Sequence, residues 1–438
     1  MRRLFSALPL IAALLLSGCQ QAEVSPWLGG AKSAPQQAPV SPPAAARPQV
    51  QLPPPAPKPV EPPPQLVAPV PQSLAGRDEI RAALLVPLSG PYAAWGQAMS
   101  NAAQLALFDV ADQRFNLIPL DTKGTPEGAA VALELAHVQG ADIVLGPVFS
   151  PEVKAASVVA RQWALPMLAF TTDRSALGQG VYTLGFLPLS QVRRVIAHAR
   201  SLGKQRFALL ARANDYGQAV AQAFRDAVAA EGGQVVKVEY YDPQSKDLGP
   251  LVRRFTEADS RTRGLVKGEG RAAPPPFDAV MIADEGTSLR TVASLVTYYE
   301  VDTDTVPLLG TMLWDDSRLA AEPSLQGALF AAPATESYGD FERRYVTAFG
   351  IRPPKVGVLR ASLAYDAVAL AATLVRQNLD YSAAALTNAG GFSGIDGLFR
   401  LRADGTSERG LAVHEIAKSG IHVVAPAPTG FVPAAAGM

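Results

Sequence analysis

The sequence predicts an α/β protein with two lobes, each built on a parallel β-sheet that is covered by helices. From Asp78 onward, short apolar segments typical of buried strands alternate with amphipathic segments typical of helices. Such alternation, with short loops between the segments, indicates parallel strands joined by crossover helices. The pattern runs through one unit, resumes in a second and becomes irregular near the end, so we expect chain crossovers between two lobes.

The first unit covers about residues 78–187 and opens with a buried strand. In order, its predicted strands and helices are IRAALLVPL, YAAWGQAMSNAAQLALFDVA, FNLIPLD, PEGAAVALELAHVQG, ADIVLGPV, SPEVKAASVVARQWA and LPMLAF. The first segment is a strand, and helices and strands then alternate. Gly140 closes the second helical segment, as expected because glycine favours helix ends.

The second unit covers about residues 188–313 and repeats the alternation. It starts with a helix, and its segments in order are VRRVIAHARSLG, QRFALLAR, YGQAVAQAFRDAVAAEGG, QVVKVEYY, LGPLVRRFTEA, FDAVMIAD, SLRTVASLVTYYE and VPLLGT. We expect residues 314–390 to return to the first lobe and residues 391–425 to the second, with a hairpin that turns at Asp404–Gly405. Residues 426–438 are expected to form a disordered tail.

Residues 1–18 have the layout of a secretory signal peptide, because Arg2 and Arg3 precede an apolar run that ends in small residues. The segment Leu16–Cys19 resembles the lipobox of bacterial lipoproteins, which implies that Cys19 is acylated and becomes the mature N-terminus. The alternative is an ordinary signal with a buried thiol nearby. Gln20 is not the aspartate that retains such lipoproteins in the inner membrane, which favours attachment to the outer membrane.

Residues 19–77 are expected to form a disordered tether because they contain sixteen prolines between Pro26 and Pro71 and few large apolar residues. The stretch PPPAPKPVEPPPQ is its most proline-rich part. Proline favours polyproline II at about 3.1 Å per residue, so roughly fifty residues reach on the order of 150 Å. Such a rod gives reach, although a passive spacer with no required length explains the composition equally well.

The composition excludes several classes of protein. The 39 basic residues balance the 39 acidic ones, whereas a nucleic-acid partner requires a basic excess on one face. The single cysteine rules out an internal disulfide and a cysteine-based zinc site, and the four histidines lack metal-ligand spacing. Because the sequence also lacks a nucleophile elbow, a P-loop and a dinucleotide fingerprint, we expect neither enzymatic activity nor a metal or cofactor.

A ligand site is expected at the carboxyl ends of the strands, where open α/β sheets bind their ligands. The loops that follow the predicted strands of both units supply its polar side chains. The candidate cleft residues on these loops are Ser89, Tyr92, Ser150, Thr171, Thr172, Tyr216, Asp284 and Asp315. A small molecule between the lobes is their expected partner. The alternative is that the serines and threonines only cap helices.

Three separated segments resemble the type I periplasmic binding proteins of the Leu/Ile/Val receptor kind. They are LLVPLSGPYAAWGQAMSNAAQLAL, GADIVLGPVFSPEVKAASVVARQWALPMLAFTTD and NDYGQAVAQAF, and the resemblance extends over about residues 78–425. It implies a two-lobed fold in which Ser150, Thr171 and Thr172 hold the α-carboxylate and amine of an amino acid. The acid that pairs with the ammonium in such receptors has no clear counterpart in TMLWDD, where one of the two aspartates would have to replace it.

The resemblance implies one of two functions. The first is that of the penicillin-binding protein activators of the LpoA type, outer-membrane lipoproteins that bind and activate a bifunctional penicillin-binding protein, which is a peptidoglycan synthase. The proline-rich tether, a lipid anchor at Cys19 and the weak match at the ammonium site favour this function, although the helical-repeat domain of the best-known activator is missing. The alternative is a lipid-anchored solute-binding receptor of a branched-chain amino acid ABC transporter.

Overall fold

The computed structural model describes Leu74 and residues 76–264, 272–334 and 336–431. The predicted signal peptide, the acylation site at Cys19 and nearly all of the proline-rich tether lie outside the described residues, as does the end of the predicted tail. Two sheets with helices on their faces form two lobes, which confirms the predicted fold class. Within the described ranges, no helix is both long and apolar enough to span a membrane.

The first lobe contains a five-stranded parallel sheet. Its strands are β1 (Ile80–Val86), β2 (Phe115–Asp121), β3 (Ile143–Leu145), β4 (Met167–Ala169) and β5 (Val181–Thr183), and its first helices are α1 (Ala93–Val110), α2 (Pro126–Val138) and α3 (Ser150–Gln162). The strand order is β2-β1-β3-β4-β5. Strand β1 buries apolar side chains on both faces of the sheet, so its sequence IRAALLV lacks the alternation of a half-exposed strand.

The chain then enters the second lobe and alternates between helices and parallel strands. The helices are α4 (Pro188–Ser201), α5 (Asp215–Ala230), α6 (Gly249–Phe255), α7 (Ala258–Arg261) and α8 (Gly286–Tyr298). The strands are β6 (Arg206–Arg212), β7 (Gln234–Tyr241), β8 (Ala279–Ala283), β9 (Leu308–Gly310) and β10 (Leu329–Ala332). Three short 3₁₀ helices separate β9 from β10: Met312–Trp314, Ser317–Ala321 and Pro323–Leu325.

The last part of the chain contributes to both lobes. Its helices are α9 (Glu336–Phe349), α10 (Ser362–Arg376) and α11 (Ala383–Leu386), and its strands are β11 (Lys355–Val356), β12 (Leu359–Arg360), β13 (Phe392–Gly394), β14 (Gly397–Leu401), β15 (Ser407–Arg409), β16 (Ala412–Ala417) and β17 (Gly420–Ala425). Helix α10 packs along α1 of the first lobe, where Oη of Tyr365 donates to Oδ2 of Asp109 at 2.8 Å. Strands β16 and β17 complete a seven-stranded second sheet in the order β17-β16-β10-β9-β8-β6-β7.

Two lobe boundaries differ from the sequence expectation. Residues 314–390 are expected in the first lobe, but β10 extends the second sheet beside β9 because its segment LFAA is apolar and buried. Residues 391–425 are expected in the second lobe, but β13, β14 and β15 form a separate sheet beside the first lobe, where the Thr183 N–H donates to the Gly405 carbonyl at 2.9 Å. The hairpin predicted at Asp404–Gly405 is present between β14 and β15.

The folded part is longer than expected at both ends. Leu74 is only 4% exposed and belongs to the core of the first lobe, and Arg77 forms an ion pair with Asp142. At the other end, the ring of Phe431 lies 4.5 Å from the guanidinium of Arg400. The last residues of the predicted tether and the first residues of the predicted tail therefore pack on the domain, because their apolar side chains find partners there.

Candidate functional site

The candidate residues of the first lobe lie beyond the carboxyl ends of its strands, and two of them are in contact. Ser150 is the first residue of α3, and its Oγ lies 2.9 Å from Oγ1 of Thr171, which follows β4. Thr171 is buried; its Oγ1 accepts from the Asp173 N–H at 3.0 Å, and its carbonyl accepts from Oγ1 of Thr183 at 2.5 Å. Thr172 beside it is exposed. The structure thus brings Ser150 and Thr171 together as a rigid hydroxyl pair.

Tyr92 and Ser89 follow β1 in the same region. The Tyr92 ring lies 4.5 Å from the ring of Phe149, the residue before Ser150, so two aromatic rings adjoin the hydroxyl pair. Oγ of Ser89 donates to Oδ2 of Asp121 at 2.6 Å. Burial alone would raise the pKa of Asp121, but the hydrogen bonds from Ser89 and from backbone N–H groups lower it overall. Ser89 therefore holds the end of β2 against the loop after β1.

Glu152 fixes the start of α3, and sequence reasoning missed it. Its carboxyl group is buried and accepts from the Phe149 N–H at 2.9 Å and from Oγ1 of Thr122 at 2.5 Å. A glutamate at the third position of a helix is the sequence signal for this capping contact. Burial raises the pKa of Glu152.

On the second lobe, Tyr216 and Thr311 form another hydroxyl pair. Tyr216 lies in the first turn of α5, and its Oη is 2.6 Å from Oγ1 of Thr311, which follows β9. Asn214 caps the helix by accepting from the Gly217 N–H at 2.9 Å. Burial of the phenol raises the pKa of Tyr216 above its usual value, so the side chain stays neutral and can exchange hydrogen bonds.

Asp284 follows β8, but its carboxylate is already occupied inside the second lobe. It is fully buried, forms an ion pair with Arg212, and accepts hydrogen bonds from Oη of Tyr241 at 2.5 Å and from the Glu285 N–H at 2.7 Å. Its carbonyl accepts from the indole N–H of Trp314 at 2.9 Å. Burial and the charge of Asp284 raise the pKa of Tyr241, so the phenol remains a donor. The geometry makes Asp284 a structural anion.

Asp315 is bound by two cations from the last part of the chain. Its carboxylate lies 2.6 Å from Nζ of Lys355 and 2.8 Å from Nη2 of Arg360. Burial alone would raise the pKa of Asp315, but the charges of Lys355 and Arg360 lower it below its usual value. The neighbouring Asp316 caps a 3₁₀ helix by accepting from the Arg318 N–H at 3.0 Å. Both aspartates of TMLWDD are therefore engaged within the protein.

Asp315 belongs to a buried cluster of charged side chains, which we call the crossover cluster. Its members are Asp315, Arg360, Asp366, Asp396 and Arg409. Arg360 is only 2% exposed, and its Nη1 lies 2.9 Å from Oδ1 of Asp396. The guanidinium groups of Arg360 and Arg409 lie 5.5 and 4.1 Å from the ring of Phe186, which is in the crossover from β5 to α4. Burial and the charge of Asp396 raise the pKa of Asp366 to about 7. The cluster joins chain segments from both lobes.

The structure therefore sorts the predicted residues into three groups. The first lobe carries Ser89, Tyr92, Ser150, Thr171 and Thr172, the second carries Tyr216 and Asp284, and the crossover cluster contains Asp315. Between the first group and the second, the described residues make no hydrogen bond or ion pair. The same described ranges contain no group of His, Cys, Asp and Glu that could hold a metal ion. The candidate residues thus lie on both lobes, after the strands of each sheet.

Two α/β lobes with polar groups beyond the strand ends are the architecture of the two-lobed solute-binding proteins. Residues 79–420 match the family described as "Periplasmic binding protein", and the chain belongs to this family. The match covers most of the folded part and confirms the resemblance to the type I periplasmic binding proteins. The narrower resemblance to the penicillin-binding protein activators stays a prediction.

Solved structures of the same fold come from several bacteria. A Rhodospirillum rubrum protein proposed to be a branched-chain amino acid ABC transporter is 18% identical, with 79% of this chain and 100% of that chain covered and a TM-score of 0.67. The isoleucine complex of LivJ from Streptococcus pneumoniae is 19% identical, with 80% and 100% covered and a TM-score of 0.51. A Rhodopseudomonas palustris BisB5 solute-binding protein in complex with 3,4-dihydroxybenzoic acid is 17% identical, with 82% and 98% covered and a TM-score of 0.54. At these identities the likeness shows the fold alone.

Two curated relatives carry no assigned function. An uncharacterized protein of Rickettsia prowazekii is 20% identical over 225 residues, which are 51% of this chain and 58% of that protein. An uncharacterized protein of Methanocaldococcus jannaschii is 24% identical over 206 residues, which are 42% of this chain and 48% of that protein. The chain thus spans about half the length of the curated relatives it matches.

Proposed function

We propose that the protein is a solute-binding protein of the cell envelope whose inter-lobe cleft takes a small carboxylate that lacks a neighbouring ammonium group. One observation carries this proposal: the first lobe offers hydroxyl groups at a helix N-terminus, whereas the candidate acids Asp284 and Asp315 are each paired with cations of the protein. Among the candidate residues, the hydroxyl groups therefore suit a negative group, and neither of the two acids is free to pair with a positive one.

The carboxylate end of the solute fits the start of α3. Backbone N–H groups at a helix N-terminus carry partial positive charge and bind anions, and Ser150 is the first residue of that helix. The hydroxyl pair of Ser150 and Thr171 adds one donor, because one of the two hydroxyls donates to the other, and the packing of Thr171 fixes its position. Tyr92 and Phe149 provide aromatic surface beside these donors, which suits a solute with an apolar or aromatic body.

The two candidate acids are not free to pair with the ammonium end of an amino acid. Asp284 is neutralised by Arg212, and Asp315 is neutralised by Lys355 and Arg360. Burying an ammonium without an anionic partner costs several kcal/mol, whereas micromolar binding amounts to only about 8 kcal/mol in total. Free leucine, isoleucine and valine are therefore poor ligands for this cleft. The dihydroxybenzoate bound to the Rhodopseudomonas palustris relative is a solute of the favoured kind.

Calorimetric titration of the purified protein tests this proposal. We expect benzoate or 3,4-dihydroxybenzoate to bind, and benzyl alcohol, which has the ring but no carboxylate, to bind at least tenfold more weakly because the helix N-terminus favours an anion. Thr171→Val should weaken carboxylate binding about tenfold, since one fixed hydrogen bond to a charged group is lost. Thr347→Val, an exposed position on α9, is the matched control. Tight binding of isoleucine with no binding of any carboxylate of this kind would contradict the proposal.

A second candidate function is activation of a peptidoglycan synthase, and it rests on the N-terminal sequence. The lipobox-like segment Leu16–Cys19 and the proline-rich residues 53–65 suit a lipoprotein that reaches from the outer membrane toward the cell wall. Capture of partners from envelope extract by the full chain separates the candidates. A bifunctional penicillin-binding protein would support the activator, whereas permease subunits of an ABC transporter would support the receptor.

A further inference from the structure

A groove of about 320 Å³ lies between helix α10 and strand β13. Its lining includes Asp366, Ala369, Thr373 and Gln377 on the helical side and Phe392 and Ser393 on the strand. The four residues on the helical side are spaced three or four positions apart, so they share one face of α10. At 1.5 Å per residue, the distance from Asp366 to Gln377 along the helix is about 16 Å. The described residues that line this groove include none of the candidate cleft residues.

Asp366 lies at the buried end of the groove and has an acceptor atom without a partner. The side chain is only 1% exposed, and its Oδ1 accepts from the Ile395 N–H at 2.7 Å. Its Oδ2 is buried and accepts no hydrogen bond from the part of the chain that the structure describes. Gly394 of β13 makes room for this carboxyl group, because a Cβ at that position would collide with it. Since buried polar atoms are almost always hydrogen-bonded, Oδ2 indicates a donor that the described chain does not supply.

The charges near Asp366 are compatible with a cationic donor. The charges that act on it are those of Asp396, in the turn after β13, and of Arg409, at the end of β15, and they partly offset each other. Arg409 makes no hydrogen bond to Asp366, because its Nη2 donates to the Leu184 carbonyl and its Nε and Nη1 have no partner within the described ranges. The described residues that line the groove include one acid and no base. The groove therefore suits a positive group, and its lining offers no partner to a carboxylate.

We propose that this groove is a second ligand site, which binds a small organic primary amine without a carboxylate and pairs its ammonium group with Asp366. The ammonium group supplies a donor to Oδ2 and a charge opposite to that of the carboxylate. The apolar body of the amine packs along α10 against Phe392, whose ring lies 5.7 Å from that of Phe399. Thr373 and Ser393 add hydroxyl groups for the polar groups of a longer amine. This site is separate from the candidate cleft, so the inference is independent of the proposed function.

Calorimetric titration of the purified protein with benzylamine tests this site, and benzyl alcohol is the matched neutral probe. We expect benzyl alcohol to bind at least tenfold more weakly than benzylamine, because only the amine brings a positive charge. Asp366→Asn should weaken benzylamine binding at least tenfold, since asparagine keeps the shape of the side chain and loses its charge. Ala369→Leu narrows the groove at a half-buried position without changing a charge, and it should weaken binding to a similar extent.

Two control variants separate this site from other effects. Asp340→Asn removes an acid from α9 whose side chain is 66% exposed, and it should leave benzylamine binding unchanged. Thr171→Val changes the candidate cleft and should also leave benzylamine binding unchanged. Asp366→Asn should fold, because the amide oxygen of asparagine can accept from the Ile395 N–H as the carboxyl group does. Its melting temperature at pH 6 checks this directly.

Proton release on binding provides a second measurement. Burial and the charge of Asp396 raise the pKa of Asp366 to about 7, so the free carboxyl group is mostly protonated at pH 6 and mostly ionised at pH 8. An ammonium group that pairs with the carboxylate displaces this proton. Benzylamine binding should therefore release nearly one proton at pH 6 and be about tenfold tighter at pH 8. Titration heats in buffers with different ionisation enthalpies measure the release. Absence of benzylamine binding, equal binding of benzyl alcohol, undiminished binding to Asp366→Asn or Ala369→Leu, or binding without proton release at pH 6 would overturn the proposal.

Discussion

Replacement of Arg360 by methionine tests whether the crossover cluster stabilises the fold. Arg360 is almost fully buried and lies between two carboxylates, with Asp315 at 2.8 Å and Asp396 at 2.9 Å. Methionine keeps much of the length and apolar volume of the side chain but removes the charge and the hydrogen bonds. The substitution therefore leaves packing largely intact and isolates the ionic contribution.

The two carboxylates lose different amounts of support. Asp315 keeps Lys355 at 2.6 Å, so its charge stays compensated. Asp396 is fully buried and keeps a hydrogen bond from the hydroxyl of Ser362, at 2.6 Å, and the neighbouring positive charge of Arg409, but it loses its ion pair. Removing one member of a buried pair typically costs about 3–5 kcal/mol, because the other charge is left in a medium of low polarity. We expect a loss of about that size in the free energy of unfolding of Arg360→Met.

Urea unfolding followed by both circular dichroism and tryptophan fluorescence measures this loss, and coincident transitions justify a single free energy. Arg318→Met is the matched control, because its ion pair with Asp316 is on the surface and its side chain is 81% exposed. That variant should leave the free energy of unfolding essentially unchanged, because exposed ion pairs contribute little to stability. A loss below about 1 kcal/mol for Arg360→Met would refute the view that the cluster stabilises the crossover region.

Three further predictions concern other parts of the chain. The pKa of Asp366 is raised to about 7 in the folded state, so between about pH 4 and pH 7 the folded protein binds a proton that the unfolded chain does not. The free energy of unfolding should therefore fall as the pH rises from about 4 to 7. Asp366→Asn should flatten that part of the pH profile of urea unfolding. Deletion of residues 20–72 should leave the melting temperature unchanged, and a lower melting temperature would mean that the tether packs on the domain. In contrast, Leu74→Ala should lower the free energy of unfolding by about 2 kcal/mol, because Leu74 is buried. Cys19→Ser should release the protein from the membrane fraction or leave an uncleaved precursor, as fractionation and mass spectrometry would show, and normal processing with continued membrane attachment would exclude lipidation at Cys19.

The alternation of apolar and amphipathic segments predicted most of the fold, because in the regular part of the chain each apolar segment is a strand and each amphipathic segment is a helix. Segments such as IRAALLV and QRFALLAR are apolar enough to predict buried central strands. Because a helix lies between successive strands, the strands are predicted to be parallel. The last part of the chain obeys no such rule. Strand β10 is the four-residue segment LFAA, and only its pairing with β9 and β16 assigns it to the second sheet.

The ends of the domain could not be predicted for a similar reason. Leu74 follows a proline-rich stretch, and its sequence neighbourhood resembles the tether more than the domain. Its burial depends on partners in the first lobe that lie far along the chain. Phe431 likewise gains its contact from the guanidinium of Arg400 on β14. Composition describes the average character of a segment, whereas the burial of a single side chain depends on its tertiary contacts.

The contact between the candidate residues Ser150 and Thr171 was predictable from the sequence, but the ion pairs of the candidate acids were not. Ser150 and Thr171 follow strands of one sheet, so topology alone brings their loops together. The state of Asp284 and Asp315 depends instead on Arg212 and Arg360, which come from other strands and reach the carboxylates through the interior. A sequence motif predicts the same role for an aspartate after a strand whether or not a cation from elsewhere in the chain pairs with it. In the proposed function the charge of the ligand follows from that pairing, because a neutralised acid cannot attract an ammonium group and a helix N-terminus continues to attract a carboxylate. The cation partners of the acids therefore distinguish a receptor for amino acids from a receptor for simple carboxylates more sharply than the acids themselves.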